Sequence, residues 1–469
     1  MTGARFFDTR YDRDACEIGV VHIGFGAFHR AHQAVYIDDY MQTTGDLRWG
    51  IAAVNLRAED SKSFEHVAQA KDGYLLKSIA PDSTQEFRAV RSHVAFVDAA
   101  TDLAEAIELF TRPSVKAATI TVTESGYSFN ENWRLDQNAD PISSELDGGP
   151  IQSIYGFLAA GLAARSEHLD APITVLCCDN IRSNGRGLEA AFQDYLLAAG
   201  LRPLADWVGK NVTFPCSMVD RITPRSTPAL EDEVRALWPN RISAPVHAED
   251  FLQWVLEDRF AAEMPDLTQA KVQVVRDVEP FEEAKIRILN GGHTGLTYLG
   301  ALAGHDTFDE AMADPALRAC FDAWEGEVLQ GLGKDFPFDL ALYSADIARR
   351  FENAGIADQI ERICMDGYSK MAIYMQPTLA ACLAKGITPV AGYNCVASWV
   401  VYARKHAAGT THIPYHEPFW NKLAPMLMKG SEGDITNDPS LWGDLPQNHP
   451  TFGTELVQAI QRMEEQWPD

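Results

Sequence analysis

Short apolar runs alternate with stretches free of Gly and Pro along the first half of the chain. Ile18, Val20, Val21 and Ile23 form a run that reads as a buried strand. Gly24 and Gly26 follow at once, and residues 31–41 can be helical. Further apolar runs lie at 49–56, 117–122 and 173–178, with helical patterns at 102–110 and 151–164. This alternation predicts a mostly parallel sheet, in which ligands bind beyond the carboxyl ends of the strands. Gly24–Gly26, Thr123–Gly126 and Asp179–Asn180 all fall at such ends. Residues 72–99 read differently, as short strands at 74–79, 87–90 and 94–97, and their spacing suggests an antiparallel insertion. Beyond about residue 277 the strand runs stop. Helical patterns then dominate at 280–303, 307–331, 344–352, 356–384, 389–406 and 452–466. The expected architecture is α/β. A Rossmann-type dinucleotide-binding domain with an antiparallel insertion spans 1–277, and a mainly α-helical C-terminal domain spans 278–469.

Strand, Gly-x-Gly and helix in succession open a dinucleotide-binding unit, because the glycines let backbone amides approach a pyrophosphate. The third glycine of the usual spacing would stand at 29, where the chain has His29. An acidic residue after the second strand binds the adenosine ribose in such units. Glu59 or Asp60 can do so, whereas Arg57 would favour a 2′-phosphate. NAD is therefore expected, with NADP not excluded.

The second chemically suggestive segment is 282–300. At about 100° per residue, Lys285 shares a helix face with Leu289, His293 and Leu296, and Asn290 falls near its edge. A lysine among apolar neighbours loses its proton more readily and can act as a general base. An amide such as Asn290 can stabilise a developing alkoxide. The bland alternative is a lysine that snorkels to solvent and a core histidine. Gly291-Gly292 lowers helix propensity, which makes sense if backbone passes close to a ligand. Asp220-Arg221 follows another apolar run, and such neighbours are more often a structural ion pair than catalysts. His29-x-x-His32 has metal-ligand spacing but no evident third ligand, so no metal is expected. No Gly-x-Ser-x-Gly nucleophile motif occurs.

Composition narrows the class. With 40 Lys+Arg against 66 Asp+Glu, the formal charge of −26 argues against nucleic acid as a partner. Hydrophobic residues at 46% and charged residues at 23% argue against disorder, collagen or coiled coil. No apolar window approaches the ~18 residues of a membrane span, so no membrane partner is expected. The charged start lacks the apolar core of a signal peptide, and the eight cysteines include no Cys-x-x-Cys pair. A reduced, cytoplasmic protein is expected, as a monomer or small homo-oligomer.

Five ordered motifs resemble the polyol-specific long-chain dehydrogenases, the mannitol dehydrogenase family. They are Gly24-Phe-Gly-Ala-Phe-His-Arg-Ala-His-Gln33, Thr121-Val-Thr-Glu-Ser-Gly-Tyr127, Cys178-Asp-Asn180 with Ser183-Asn-Gly185, the Val-Asp-Arg-Ile-x-Pro pattern ending at Pro224, and Lys285-x-x-x-x-Asn290-x-x-His293. Many members have lysine where Ser125 stands. The resemblance implies a metal-independent NAD(P)-dependent alcohol/ketone oxidoreductase. Lys285 would be the general base, Asn180 and Asn290 the alkoxide-stabilising pair, and Asp220 and His293 partners of substrate hydroxyls. Glu282 would lie near the proton path. Gly24, Phe25, Gly26, Phe28, His29 and Arg30 would form the cofactor turn, joined by Glu59, Asp60, Thr123 and Glu124. Asp366-Gly-Tyr-Ser-Lys370-Met resembles arabinitol dehydrogenases, and Lys370 would bind substrate. The implied substrate is a sugar alcohol or its ketose, mannitol or arabinitol. A fructuronate- or tagaturonate-type reductase is the rival within the class, and a non-catalytic dinucleotide-binding regulator the rival outside it.

Overall fold

The computed structural model describes residues 5–130, 133–428 and 430–468. Two compact units meet in the sequence at Glu279/Pro280: the chain up to Glu279, apart from Pro81–Ser83, and Pro280–Asp469.

The first unit is built on a six-stranded sheet. Its strands are β1 (Ile18–Ile23), β2 (Gly50–Asn55), β3 (His93–Asp98), β4 (Ala117–Ile120), β5 (Ile173–Cys177) and β6 (Val212–Thr213). Their order is β3-β2-β1-β4-β5-β6, and every pair is parallel. This is the doubly wound order of a Rossmann sheet, whose switch point lies between β1 and β4. Strands β1, β2, β4 and β5 are apolar along almost their whole length because both faces are covered. The apolar runs of the sequence are these strands.

One strand changes allegiance. The segment expected to complete an antiparallel insertion, 94–97, is β3, paired in parallel with β2. It lies at the edge of the sheet and is only partly covered, with Val94, Ala95, Phe96 and Asp98 half-buried, so it lacks the fully buried run of the central strands. The insertion that remains is Tyr74–Ile79 paired antiparallel with Gln85–Val90. Arg5–Asp8 and Val246–Glu249 extend it on either side in parallel. Ser217–Asp220, Gln253–Glu257 and Gln273–Val275 make a third, small sheet.

The second unit is helical, with no named strand among its described residues. Gly291–Ala303 lies at its centre and packs against Pro315–Leu332 and Val390–Ala407, and the latter packs against Phe452–Gln466. The span expected as one helix over 307–331 is two, Phe308–Ala313 and Pro315–Leu332. Pro315 cannot donate to a continuing helix, and the Asp314 carboxylate caps the new one through the Ala316 and Leu317 amides.

Candidate active site

The dinucleotide turn shows why its glycines are needed. Gly24 has φ +87°, and a Cβ there would overlap the Thr121 carbonyl oxygen at the end of β4. Its N–H donates to the Val54 carbonyl of β2 at 3.0 Å. Gly26 is different: a Cβ there meets nothing within 4 Å. The first glycine passes through the sheet edge, and the second leaves open room above the turn.

His29 stands where a third glycine is usual, and its ring turns into the core. It stacks on His22 of β1 with centroids 3.2 Å apart, and its Nε2 lies 2.8 Å from His93 Nε2 at the start of β3. His22 in turn reaches Thr119 Oγ1 at 2.7 Å and Thr121 Oγ1 at 2.9 Å. Burial holds all three rings well below the ordinary histidine value, so they are neutral hydrogen-bonding groups. His29 can therefore serve a cofactor only through its backbone. His32 leaves this cluster and binds the Gln253 carbonyl at 2.8 Å, so the His29-x-x-His32 pair does not converge on one point. Among the described residues no three His, Cys, Asp or Glu side chains are grouped to hold a metal.

The other residues of the turn are fixed by rings. Phe25 stands edge-on to Phe64, His93 and Phe96, and Phe28 stacks on His32. Arg30 donates to the Ala244 carbonyl at 3.0 Å and lies against the Phe25 and Tyr74 rings. After β2, Glu59 and Asp60 sit on an exposed turn with Arg57. Arg57 Nε donates to Glu59 Oε1 at 2.8 Å and lies 3.6 Å from Asp60 Oδ2. The cation that would favour a 2′-phosphate is thus paired with both acids that would favour a free ribose hydroxyl.

Thr123 and Glu124 follow β4 on an exposed turn, with Thr123 at φ +68°. The residue that shapes this turn is Asp179. Its carboxylate accepts from the Val122 and Thr123 amides at 2.8 and 3.2 Å and from the Tyr127 hydroxyl at 2.7 Å. Burial pushes its pKa up, and these three donors oppose the rise. Asp179 thereby ties the carboxyl end of β5 to that of β4 and leaves Asn180 exposed just beyond it. The sequence signal for this brace was only its place at a strand end. Asp220, the last residue of its strand, is buried. The Arg221 guanidinium goes to the Glu249 and Ala31 carbonyls and to Ser78 Oγ, so it binds three segments of the unit together.

In the helical unit, Glu279–Ala284, Lys285–Asn290 and Gly291–Ala303 form one continuous helix whose middle section is a π-helix. Its i→i+5 turn changes the face expected from an α-helical period. The wider turn brings residues five apart, such as Lys285 and Asn290, closer to one face than an α-helical period would. Lys285 is 7% exposed, and Glu282 and Arg287 are equally buried. Arg287 is anchored to Thr378 Oγ1 at 3.0 Å and to Glu283 at 3.3 Å. A second π-helical turn, Met371–Met375, packs against the first.

The two glycines after Asn290 have a packing reason. A Cβ on Gly291 would lie 3.0 Å from the Trp324 ring, and one on Gly292 would lie 2.9 Å from the Phe321 ring. Here the close approach is to helix Pro315–Leu332, where the sequence suggested a ligand. His293 sits between Phe308 and Phe351, with Nε2 3.6 Å from Asp358 Oδ2. Burial takes it down to about 3, against the pull of Asp358, so the ring is neutral. Lys370 Nζ donates to the Ile363 carbonyl at 2.7 Å.

A doubly wound parallel sheet with a Gly-x-Gly turn at the end of β1 defines a dinucleotide-binding protein of the Rossmann type, and a separate helical unit buries Lys285. Two family models match: the mannitol dehydrogenase Rossmann domain over residues 18–269 and the mannitol dehydrogenase C-terminal domain over 277–464. The chain is 34% identical to D-arabinitol 4-dehydrogenase of Ralstonia nicotianae, with 94% of each chain covered. It is 36% identical to mannitol 2-dehydrogenase of Aspergillus fumigatus, covering 95% of this chain and 90% of that one. Among solved structures, the ternary complex of Pseudomonas fluorescens mannitol 2-dehydrogenase with NAD and D-mannitol superposes with a TM-score of 0.86 at 30% identity, covering 99% of this chain and 95% of that one. A substrate-free D-sorbitol dehydrogenase gives 0.87 at 29% identity, covering 99% and 96%. The chain belongs to the mannitol dehydrogenase family. No helix among the described residues is long and apolar enough to cross a membrane.

Proposed function

We propose that this protein is an NAD-dependent polyol dehydrogenase that interconverts a sugar alcohol of the mannitol or arabinitol class and its ketose without a metal. The observation that carries this reading is a buried Lys285 one π turn from Asn290, in a chain of this family. A nicotinamide dinucleotide bound at the Gly24-x-Gly26 turn would supply the hydride acceptor for the carbinol carbon. Lys285 Nζ, in its neutral form, accepts the hydroxyl proton, and in ketose reduction it returns that proton. Asn290 donates to the developing alkoxide, with Asn180 as the second donor carried over from the family pattern. Asp220, neutral His293 and Lys370 take the remaining hydroxyls of the substrate, and buried Glu282 lies near the proton path of Lys285. The Gly24-x-Gly26 turn, with Phe25, Phe28, the backbone of His29 and Arg30, receives the dinucleotide. Thr123 and Glu124 border it at the end of β4. Open space above Gly26 and the parallel strand order support that fit.

The test is a panel of mannitol, arabinitol and sorbitol in oxidation and of fructuronate and tagaturonate in reduction. Each is followed by reduced-cofactor absorbance with NAD and NADP, with and without a chelator. Oxidation of a neutral polyol that survives the chelator is expected. Turnover of keto-uronates alone would replace the reading with the reductase, and no turnover at all would leave a dinucleotide-binding regulator.

Cofactor choice has its own test at Arg57. With Glu59 and Asp60 paired to it, NAD is preferred. Glu59→Gln releases part of the guanidinium and replaces a charged ribose acceptor with a neutral, weaker one. The ratio of kcat/KM for NAD over NADP is expected to fall about 10-fold, which is about 1.4 kcal/mol. An unchanged ratio would show that this turn does not read the ribose.

A further inference from the structure

Helix Pro315–Leu332 carries a buried acid that the proposed reaction does not use. Glu325 is 5% exposed. Its Oε2 accepts from Ser344 Oγ, on helix Leu340–Phe351, at 2.8 Å. Its Oε1 has no hydrogen-bond partner among the described residues and points at Gly292, where a Cβ would come within 3.0 Å of it. Phe321 and Trp324 of the same helix press on Gly292 and Gly291 beside it. Glu325 therefore fills the face that Gly292 leaves bare. Gly292 lies between Asn290 and His293 in the chain.

We infer that Glu325 is a positioning residue: its carboxyl packs against Gly292 and fixes the helix step between Asn290 and His293. The kinetic part of this inference rests on the proposed polyol dehydrogenase activity.

The physical case is one of uncompensated charge. An ionised carboxylate out of water needs a cation or several donors. Around Glu325 the neighbouring helices offer one donor, the Ser344 hydroxyl, the Gly292 backbone packs against Oε1 without bonding it, and its own helix adds Asp322, of like sign. Burial pushes its carboxyl from the ordinary 4.5 up to about 8, Asp322 adds to the rise, and Ser344 opposes it. Glu325 is thus neutral near pH ~7 and gains a charge under the alkaline conditions that favour release of a proton in alcohol oxidation. Once charged, it gains by drawing water to Oε1 or moving away from Gly292, and either displaces the backbone on which Asn290 and His293 stand.

Glu325→Gln keeps the shape and cannot ionise. Glu325→Ala removes the packing. On the polyol that the wild type oxidises, Glu325→Gln is expected to hold kcat within about 3-fold at pH ~7, and its kcat relative to wild type to rise about 3-fold or more by pH ~10. Glu325→Ala is expected to lose about 10-fold in kcat at either pH, with NADH affinity within about 2-fold of wild type. A group whose folded value lies above its ordinary one keeps a proton that the unfolded chain releases. The melting temperature of Glu325→Gln should therefore pull ahead of wild type as pH rises from about 4.5 to about 8 and then run parallel. Hydrogen exchange in the peptide containing residues 289–294 reads the loosened step without any turnover. Corrected for intrinsic rates, it should quicken above pH ~8 in wild type and not in Glu325→Gln. Matching exchange and matching pH–rate profiles in the two proteins would overturn the inference, as would loss of NADH binding in Glu325→Ala. A wild type that oxidises no polyol would remove the functional reading alone, and the exchange and melting comparisons would still decide the role of Glu325.

Discussion

Lys285→Ala is expected to lower kcat for polyol oxidation by about 10²- to 10⁴-fold while leaving NADH affinity within about 2-fold. The lysine is buried in the helical unit, and the groups that form the dinucleotide turn belong to the other unit. Removing the amine takes away the proton acceptor and leaves the Gly24–Gly26 turn intact. The loss should fall on kcat, because the amine acts when the O–H bond breaks, and not on the binding of the cofactor. Small primary amines in the buffer should restore part of the rate by entering the space the side chain vacates. Turnover close to wild type, or a loss confined to KM, would remove Lys285 as the base. Lys285→Met tests the same point with less change of volume.

Gly24→Ala should be the most damaging single methyl in the dinucleotide-binding unit. The alanine would have to hold φ near +87°, a region that costs an L-residue of order 1–3 kcal/mol. Its Cβ would also run into the Thr121 carbonyl oxygen, which is backbone at the end of a buried strand and cannot swing aside. Together these should destabilise the unit by about 3 kcal/mol or more and abolish NADH binding. Gly26→Ala makes the contrast. With nothing within 4 Å of its Cβ, it should melt within about 0.5 kcal/mol of wild type yet bind NADH more weakly, because the methyl occupies the room above the turn. Equal stability losses in the two variants, measured by denaturant unfolding, would contradict this division of labour.

Residues 18–26 show how far local pattern reaches. An apolar run, then Gly-x-Gly, then a stretch without breakers encodes its own conformation through burial and glycine dihedrals, and β1 and its turn lie where the pattern put them. The last strand among the described residues is Gln273–Val275, and helices follow it. Edge strand β3 departs from the expected insertion because a short, half-covered strand reads the same whether its neighbour is parallel or antiparallel. Its partner, β2, lies some forty residues back, and nothing in residues 93–98 specifies that pairing.

The site divides along the same line. Lys285, Asn290 and His293 could be picked out as polar groups in an apolar helix. Their mutual arrangement could not, because a helical wheel assumes one period and the π section breaks it. Gly291 and Gly292 signalled a close approach, and only the packed helix Pro315–Leu332 shows what approaches them. His29, by spacing a substitute for glycine, proved to be a ring held by His22 and His93. The sequence alone determined which segments form strands, helices and the dinucleotide turn, since those follow from side chains and glycines a few residues apart. The tertiary structure decided which strand pairs with which, where the helical period breaks at Lys285–Asn290 and which titratable groups are kept neutral. Those depend on burial by residues far away in the chain, and burial is what sets both pairing and charge.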